Sequence, residues 1–264
     1  MKLINRGRHD YNDEPRGHEI EVSDAEGARR LRDFAGSDRF CFERTDFLLA
    51  LDAPVPQDEK VTVMIPVFNG AKFLEQSVAS LLAQTYKNLE VLICDDGSTD
   101  GTREILKALA DKDQRVKVFR NKENKSVGFS RRRLLAACKT RLAAWQDADD
   151  IALPKRIERQ VQGILELEAK FPDRKFLVYC DWQWLRVDGT PEDKGHHKQF
   201  NCLLFSRNEG TPTVDPDLNW GEDLKWHGDM IDAGYCEAIV PEVLQGYRKH
   251  DASLTQQRIK KEGA

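Results

Sequence analysis

Three carboxylates lie within four positions of the stretch WQDADDIALP, residues 145–154: Asp147, Asp149 and Asp150. Like charges this close repel one another by about 1 kcal/mol at 4 Å in water and by about 4 kcal/mol at an effective dielectric constant near 20. A solvated acidic turn would tolerate this repulsion, and a bound cation would relieve it. In an extended segment residues i and i+2 point to the same side, so Asp147 and Asp149 can converge on one cation. Such hard oxygen ligands suit Mg²⁺ or Mn²⁺.

Two further polar clusters come at the ends of apolar stretches. Pro66 to Asn69 closes the run VTVMIPVF (61–68), and DDGSTD (95–100) closes LEVLICDD (89–96). An open α/β sheet binds its ligands beyond the carboxyl ends of its strands. A single acidic turn at a strand end is common without any ligand. Three polar clusters at the ends of neighbouring strands favour a ligand site.

The elements that must position these clusters alternate between strand and helix from residue 61 onward. Continuous apolar runs predict buried strands at 61–68, 89–96, 116–119, 141–147 and 175–185. Helices with one apolar side are predicted from Asn69, from Asp100 or Thr102, over roughly 129–139 and from Pro154. This alternation predicts an α/β fold, with a Rossmann-like, mixed but mainly parallel sheet flanked by helices.

The N-terminal segment has a different pattern. We predict a small α+β appendage and linker at residues 1–57, and the main domain at 58–264. The elements expected in the appendage are a strand at 18–22, a helix capped by Ser23 and reaching Phe34, a strand at 39–43, and a linker marked by Pro54 and Pro56.

The composition limits the class of protein. The 264 residues are 40% hydrophobic and 33% charged, with a formal net charge of −4, which suits one large core and does not indicate a nucleic-acid-binding protein. The six cysteines include no CxxC pair, which argues against a zinc or redox motif and favours a reducing, cytoplasmic setting. The sequence contains no signal-like segment and no run of 18 apolar residues, so neither export nor a membrane span is predicted.

In their order along the chain, the motifs resemble those of family 2 glycosyltransferases. The similarity runs through IPVFNGAKFLEQSVASLLAQTYKNLEVLICDDGSTDGT, NKSVGFSRRR, DADD, YCDWQWLRVDGT, the Glu222-Asp223 pair and YRKHDASLT, and it covers about residues 60–255. The resemblance implies the GT-A fold. It also implies an inverting enzyme that takes a sugar from a nucleotide-diphosphate sugar, with a UDP-sugar preferred, and uses Mn²⁺ or Mg²⁺.

The resemblance also implies roles for individual residues. Asp149 corresponds to the metal ligand of the DxD motif and Asp147 to the acid near the ribose. His250 corresponds to a third metal ligand, whose imidazole favours Mn²⁺ over Mg²⁺. Asp96 corresponds to the carboxylate that accepts a hydrogen bond from the base, whereas Asp95 is expected to brace its loop. The other nucleotide-sugar-binding residues implied are Pro66, Phe68, Asn69, Arg131 and Trp220.

The second acidic pair implies the catalytic base. Asp223 corresponds to the residue that takes the proton of the acceptor hydroxyl, and Glu222 is grouped with it as catalytic. A helix N-terminus would keep such a carboxylate ionised. Alternatively, the two acids would merely cap the helix. The sequence departs from the family pattern at Asp229, where an arginine is expected, and this puts the local bracing of the base in doubt.

Three neighbours of these residues have simpler interpretations. Asp150 is expected to cap the helix that Pro154 opens, with a direct role in the site as the alternative. Arg132 and Arg133 are expected at the surface.

Two other functions stay open at this stage. One is an inactive module that binds nucleotide sugars. The other is a sugar nucleotidylyltransferase, which would need a GxGxR-type loop where this chain has PVFNGAKFL. A processive polysaccharide synthase is not indicated, because the QxxRW signature is absent. The acceptor hydroxyl can belong to a glycan, a lipid-linked sugar, a protein or a nucleic acid, and no motif predicts the oligomeric state.

Overall fold

The structure is a computed structural model that describes residues 55–195, 200–251 and 253, together with the backbone of three short N-terminal strands. The helices are α1 (Leu74–Leu82), α2 (Thr102–Lys112), α3 (Val127–Ala137), α4 (Arg156–Lys170) and α5 (Glu222–Asp232), and Phe200–Cys202 forms a short 3₁₀ turn. The strands are β1 (Lys2–Asn5), β2 (Glu19–Glu21), β3 (Phe40–Phe42), β4 (Val61–Val67), β5 (Leu89–Asp95), β6 (Val116–Arg120), β7 (Leu142–Trp145), β8 (Ile151–Ala152), β9 (Lys175–Leu185), β10 (Pro191–Gly195), β11 (Leu204–Ser206) and β12 (Tyr235–Arg248).

The first half of the main sheet is parallel. Strands β7, β4, β5 and β6 lie side by side in that order. Every residue of β4 and β5 is buried, which explains why both segments are continuous apolar runs. Because these strands are parallel, their carboxyl ends meet at one edge of the sheet, and the three polar clusters of the sequence follow β4, β5 and β7.

The second half of the sheet combines parallel and antiparallel strands. β11 is antiparallel to both β7 and β9, whereas β12 is parallel to β9 along most of its length. The pairing of β12 with β9 shifts register between Val240 and Gln245. The predicted α/β fold with a mixed, mainly parallel sheet is confirmed.

The structure corrects two helix starts. The helix predicted from Asn69 begins at Leu74, and the helix predicted from Pro154 begins at Arg156. In the second case Pro154 and Lys155 form a turn before α4, and the two-residue strand β8, which pairs with β12, lies before that turn.

A buried polar network lies beneath the acidic turn. Arg156, at the start of α4, donates hydrogen bonds to the side chains of Gln146, Gln160 and Gln245 and to the carbonyl oxygen of Trp145. Burial lowers the pKa of Arg156. Because a buried cation is costly unless its donors are paired, this network fixes the end of β7 against α4 and β12.

At the N-terminus the structure describes only β1, β2 and β3. The strands predicted at 18–22 and 39–43 correspond to β2 and β3, whereas β1 was not predicted. Backbone pairing joins β3 to β12 and thus extends the sheet edge. The predicted helix at 23–34 lies outside the described residues, and the division at residue 57 stays a prediction. None of the helices in the described residues is both long and apolar enough to cross a membrane.

Candidate active site

The acidic turn after β7 brings its three carboxylates together. One oxygen of each of Asp147, Asp149 and Asp150 lies within 4.8 Å of the others. The side chains of Asp147 and Asp149 are 33% and 29% exposed, so both remain reachable from solvent. The expected convergence of Asp147 and Asp149 is present, although the segment is a turn, with the amide of Asp150 donating to the carbonyl of Asp147, rather than an extended strand.

Asp150 is not a helix cap, and the interpretation of it as one was wrong. Its carboxylate accepts hydrogen bonds from the backbone amide of Arg248 (2.8 Å) and from the side chain of Asn201, and it is 1% exposed. Burial raises the pKa of Asp150, with the charges of Asp149 and Asp147 adding to the shift. The residue therefore fastens the acidic turn to β12, while α4 begins after Lys155 without a side-chain cap.

Arg248 was missed in the sequence, although it stands only two residues before His250. Its guanidinium donates to the carbonyl oxygens of Asp149 (2.8 Å) and Val187 (2.6 Å) and to the side chain of Gln76 (2.9 Å). The side chain is 1% exposed. One buried cation therefore holds the acidic turn, α1 and the turn after β9 in a common arrangement.

His250 lies against the acidic turn. Its Nε2 is 2.7 Å from Oδ2 of Asp149, and its ring packs on Phe73 with the centroids 4.6 Å apart. Its Nδ1 is shielded from solvent and has no hydrogen-bond partner within the described part of the chain. The structure thus brings together the two residues for which a metal-ligand role was expected.

Arg131 connects the acidic turn with α5. Its Nη2 is 3.1 Å from Oδ1 of Asp147 and its Nε is 3.3 Å from Oε1 of Glu222. The guanidinium lies over the ring of Phe200, 4.5 Å from its centroid, and over the ring of Trp145 at 5.2 Å. Burial raises the pKa of Asp147 to about 6, although the charge of Arg131 opposes the shift.

The acidic pair begins α5, as predicted. Glu222 and Asp223 occupy the first helical turn after Gly221, whose φ is 70°, and Oδ1 of Asp223 accepts from the amide of Leu224 at 2.8 Å. Glu222 is 5% exposed, whereas Asp223 is half-buried. Burial raises the pKa of Glu222, and Arg131 opposes this shift.

Two other residues of this segment face outward. Asp229 accepts from Nζ of Lys225, four residues earlier on the same helix, at 2.8 Å. It therefore does not take over the bracing that an arginine at this position would provide. Trp220, just before the pair, is 44% exposed.

Asp96 lies at the end of β5 with its carboxylate engaged by protein donors. Oδ1 accepts from the side chain of Asn121 (2.6 Å) and the amide of Lys125 (3.1 Å), and Oδ2 accepts from the amide of Ser126 (2.9 Å). It is 3% exposed. Asp96 therefore holds the loop before α3, and a nucleotide base would share this carboxylate with three protein donors.

Asp95 and Arg133 complete this side of the site. Asp95 braces its own loop, as expected, by accepting from the amide of Ser98 at 2.8 Å. Arg133 was expected at the surface, but it is half-buried and donates to the carbonyl of Arg120 and to the side chain of Asn121. The expectation for Arg133 was wrong because the bend after β6 offers it two acceptors.

The three residues at the end of β4 take different positions. Pro66 is buried inside the strand, whereas Phe68 is 46% exposed just beyond it. Asn69 has a positive φ of 52°, and its Oδ1 accepts from the amide of Thr99 at 2.9 Å. Phe68 is therefore the member of this group that offers a free aromatic surface.

A close contact between α3 and residues 215–218 was also missed in the sequence. Ser126 caps α3 by accepting from the amide of Phe129 and donates to the carbonyl of Pro216 at 2.8 Å. The amide of Gly128 donates to the carbonyl of Leu218 at 3.2 Å. Residues 215–218 lead directly to Trp220 and the acidic pair, so α3 positions both Arg131 and the segment before α5.

The fold is the GT-A fold of glycosyltransferases. S. aureus TarS 1–349, solved in complex with UDP-GlcNAc, superposes with a TM-score of 0.60 at 16% identity, over 74% of this chain and 60% of that chain. The mannosyltransferase PcManGT of Pyrobaculum calidifontis, solved with GDP-Man and Mn²⁺, also gives 0.60, at 17% identity, over 80% of this chain and 63% of that one. At such low identity these likenesses concern the fold alone.

The sequence comparisons then identify the family. The model of Glycosyl transferase family 2 matches residues 62–203. WfgD of Escherichia coli, named a UDP-Glc:alpha-D-GlcNAc-diphosphoundecaprenol beta-1,3-glucosyltransferase, is 34% identical over 210 residues, which are 77% of this chain and 82% of WfgD. Several other curated relatives are matched over only 36–40% of their own length. The chain belongs to glycosyltransferase family 2 and is an enzyme that transfers a sugar.

Proposed function

We propose that this glycosyltransferase is metal-dependent and inverting, and that it moves a sugar from a nucleotide-diphosphate sugar to an acceptor hydroxyl. The observation that carries the proposal is the meeting of two acidic groups at one edge of the sheet. Asp147 and Asp149 belong to the first and Glu222 to the second, and Arg131 contacts both groups. A donor diphosphate needs the first group, and deprotonation of an acceptor needs a carboxylate from the second.

The residues of the acidic turn fit a divalent cation. Three carboxylate oxygens lie close together, two of their side chains are partly exposed, and the adjacent imidazole of His250 is a nitrogen ligand that Mn²⁺ accepts more readily than Mg²⁺. We assign Asp149 and His250 as the protein ligands, with Mn²⁺ or Mg²⁺ as the ion. The chemistry that a bound divalent ion supplies at such a site is neutralisation of the charge on the leaving diphosphate.

Asp223 is proposed as the general base. It lies half-buried in the first turn of α5, next to the buried Glu222. Inversion requires the acceptor oxygen to attack the anomeric carbon from the side opposite the diphosphate while a base takes its proton. Glu222 supports the same turn and, being buried against Arg131, holds the start of the helix in place.

The donor is proposed to lie across the ends of β4 and β5. Phe68 offers an exposed aromatic ring to the nucleoside, and Asn69 and Asp96 hold the two loops that would border it. A UDP-sugar is the preferred donor, since the relative WfgD is named for UDP-Glc. Asp147 would then approach the ribose.

The acceptor is proposed to approach past Trp220, the exposed ring next to the acidic pair. A flat apolar face suits the CH groups of a pyranose ring. A lipid-linked sugar is the first acceptor class to test, because the name of WfgD specifies one. Other glycans, proteins and nucleic acids with a free hydroxyl belong in the same panel.

The test combines binding with turnover. Purified protein is incubated with Mn²⁺, a panel of sugar nucleotides and candidate acceptors, and nucleotide release is followed. We expect metal-dependent release that EDTA abolishes. Tight nucleotide binding without turnover for any pair would favour an inactive binding module, and full activity in EDTA would refute the metal assignment.

Two variants separate the proposed roles. Asp149→Ala is expected to lose Mn²⁺-dependent nucleotide binding in calorimetry. Asp223→Asn is expected to keep that binding and to lower kcat by about 10²–10⁴-fold, the usual contribution of a positioned base. Asp229→Asn is the matched control, because Asp229 lies on the same helix and pairs only with Lys225 among its described ion pairs. A normal rate for Asp223→Asn would show that another group is the base.

A further inference from the structure

We propose that Arg131 is a positioning residue that sets the distance between the acidic turn and the helix of the catalytic base. The proposal rests on the function proposed above for Asp147 and Asp223. It replaces the expectation that Arg131 itself binds the nucleotide sugar.

The geometry places this arginine between the acidic turn and the first turn of α5. Arg131 comes from α3, Asp147 from the turn after β7 and Glu222 from the first turn of α5. The two nitrogen-to-oxygen distances are 3.1 Å and 3.3 Å. Among the described residues, no other lysine or arginine forms an ion pair with Glu222. A single guanidinium therefore pairs with one carboxylate of the acidic turn and with one carboxylate at the start of α5.

The surroundings of the guanidinium argue against direct phosphate binding. Its Nε and Nη1 are both shielded from solvent, and its plane is held over the rings of Phe200 and Trp145. A guanidinium in this setting loses little entropy when it keeps two acceptors in place. Nε and Nη1 are therefore closed to a diphosphate in solvent, whereas the neighbouring Arg132 is exposed.

The contact between Arg131 and Glu222 also explains how the acidic pair is braced although Asp229 stands where the family pattern has an arginine. Because Asp229 is an acid paired with Lys225, the outer turn of α5 brings no guanidinium to the acidic pair. The cation comes instead from α3, through the core of the site. Without it, the buried carboxylate of Glu222 and the partly exposed carboxylate of Asp147 would face each other without a counter-charge, and α5 would shift relative to the acidic turn.

The first test compares Arg131→Met and Arg131→Lys with Arg132→Gln, a change at an exposed position on the same helix. For Arg131→Met we expect kcat to fall by about 10²-fold, the cost of roughly 1 Å of misplacement. Its Kd for Mn²⁺ and UDP should change by less than about threefold. Arg131→Lys should recover part of kcat, and Arg132→Gln should match the wild type. A loss of nucleotide affinity with kcat preserved would instead identify Arg131 as a phosphate ligand and overturn the proposal.

A second measurement does not need activity. A double-mutant cycle between Arg131→Met and Glu222→Gln is followed by urea unfolding, with Arg131→Lys in its place if the Met variant does not fold. We expect the double variant to unfold at a urea concentration no lower than that of the worse single variant. Additive effects would overturn the proposed coupling. If the wild-type protein transfers no sugar at all, the proposed function fails, and this cycle still decides whether Arg131 joins the two segments.

Discussion

Replacing Gly128 by alanine tests whether the contact between α3 and residues 215–218 positions the acidic pair. A Cβ at this glycine would lie 2.4 Å from the carbonyl oxygens of both Asp215 and Leu218, whereas ordinary contact begins at 3.4 Å. The two backbones would therefore have to separate by about 1 Å. This shift would break the hydrogen bond from the amide of Gly128 to Leu218 and strain the one from Ser126 to Pro216.

The expected cost follows from these changes. Overpacking of this kind costs about 1–3 kcal/mol, and each lost hydrogen bond about 0.5–1.5 kcal/mol. The helix itself would gain about 0.5–1 kcal/mol from the replacement of glycine by alanine. We therefore expect Gly128→Ala to lower the free energy of unfolding by about 2–3 kcal/mol. Because residues 215–218 lead to Trp220 and Asp223, kcat should fall by about 10²-fold with little change in nucleotide affinity.

The assay is urea unfolding together with steady-state kinetics, with Gly228→Ala as the matched control. Gly228 also lies inside a helix, but a Cβ there would meet no atom within 4 Å. The control should be stabilised by about 0.5–1 kcal/mol. If Gly128→Ala is as stable as the wild type and turns over normally, then the contact with 215–218 is looser than the structure indicates and our reasoning is refuted.

Two further predictions concern Glu90 and Arg248. Burial by itself would raise the pKa of Glu90, but hydrogen bonds from Lys117, Thr62 and Lys60 lower it below the ordinary value of 4.5. The ionised Glu90 thus stabilises the folded protein above pH 4.5, and this stabilisation is lost as the pH falls through the folded pKa of Glu90. The difference in Tm between the wild type and Glu90→Gln should therefore shrink on acidification, and a constant difference would contradict this prediction. Arg248→Lys should lower the free energy of unfolding by about 2–4 kcal/mol, since a lysine cannot reach all three acceptors of Arg248. The same variant should bind Mn²⁺ more weakly in calorimetry, and an unchanged metal affinity would contradict this prediction.

The sequence by itself determined the central architecture. The apolar runs at β4, β5 and β7 predict buried parallel strands, and an acid or amide directly after such a strand must come out at the ligand-binding edge. The start of α5 at the Glu222-Asp223 pair was implied by the resemblance to family 2 glycosyltransferases. The strands and their ends depend on local periodicity and on the end of a single element, and both can be read from neighbouring residues.

Only the tertiary structure decided how the acids divide their roles. Asp150 was expected to cap the next helix, but it accepts from Arg248, 98 positions away in the chain, and Arg131 of α3 reaches Glu222 at the start of α5. A carboxylate a few residues before a proline has the same local signature whether it caps a helix or binds a distant strand. The tertiary fold decides its partner, because a buried polar group needs a hydrogen-bond partner and the packing of sheet and helices determines which donors lie within reach.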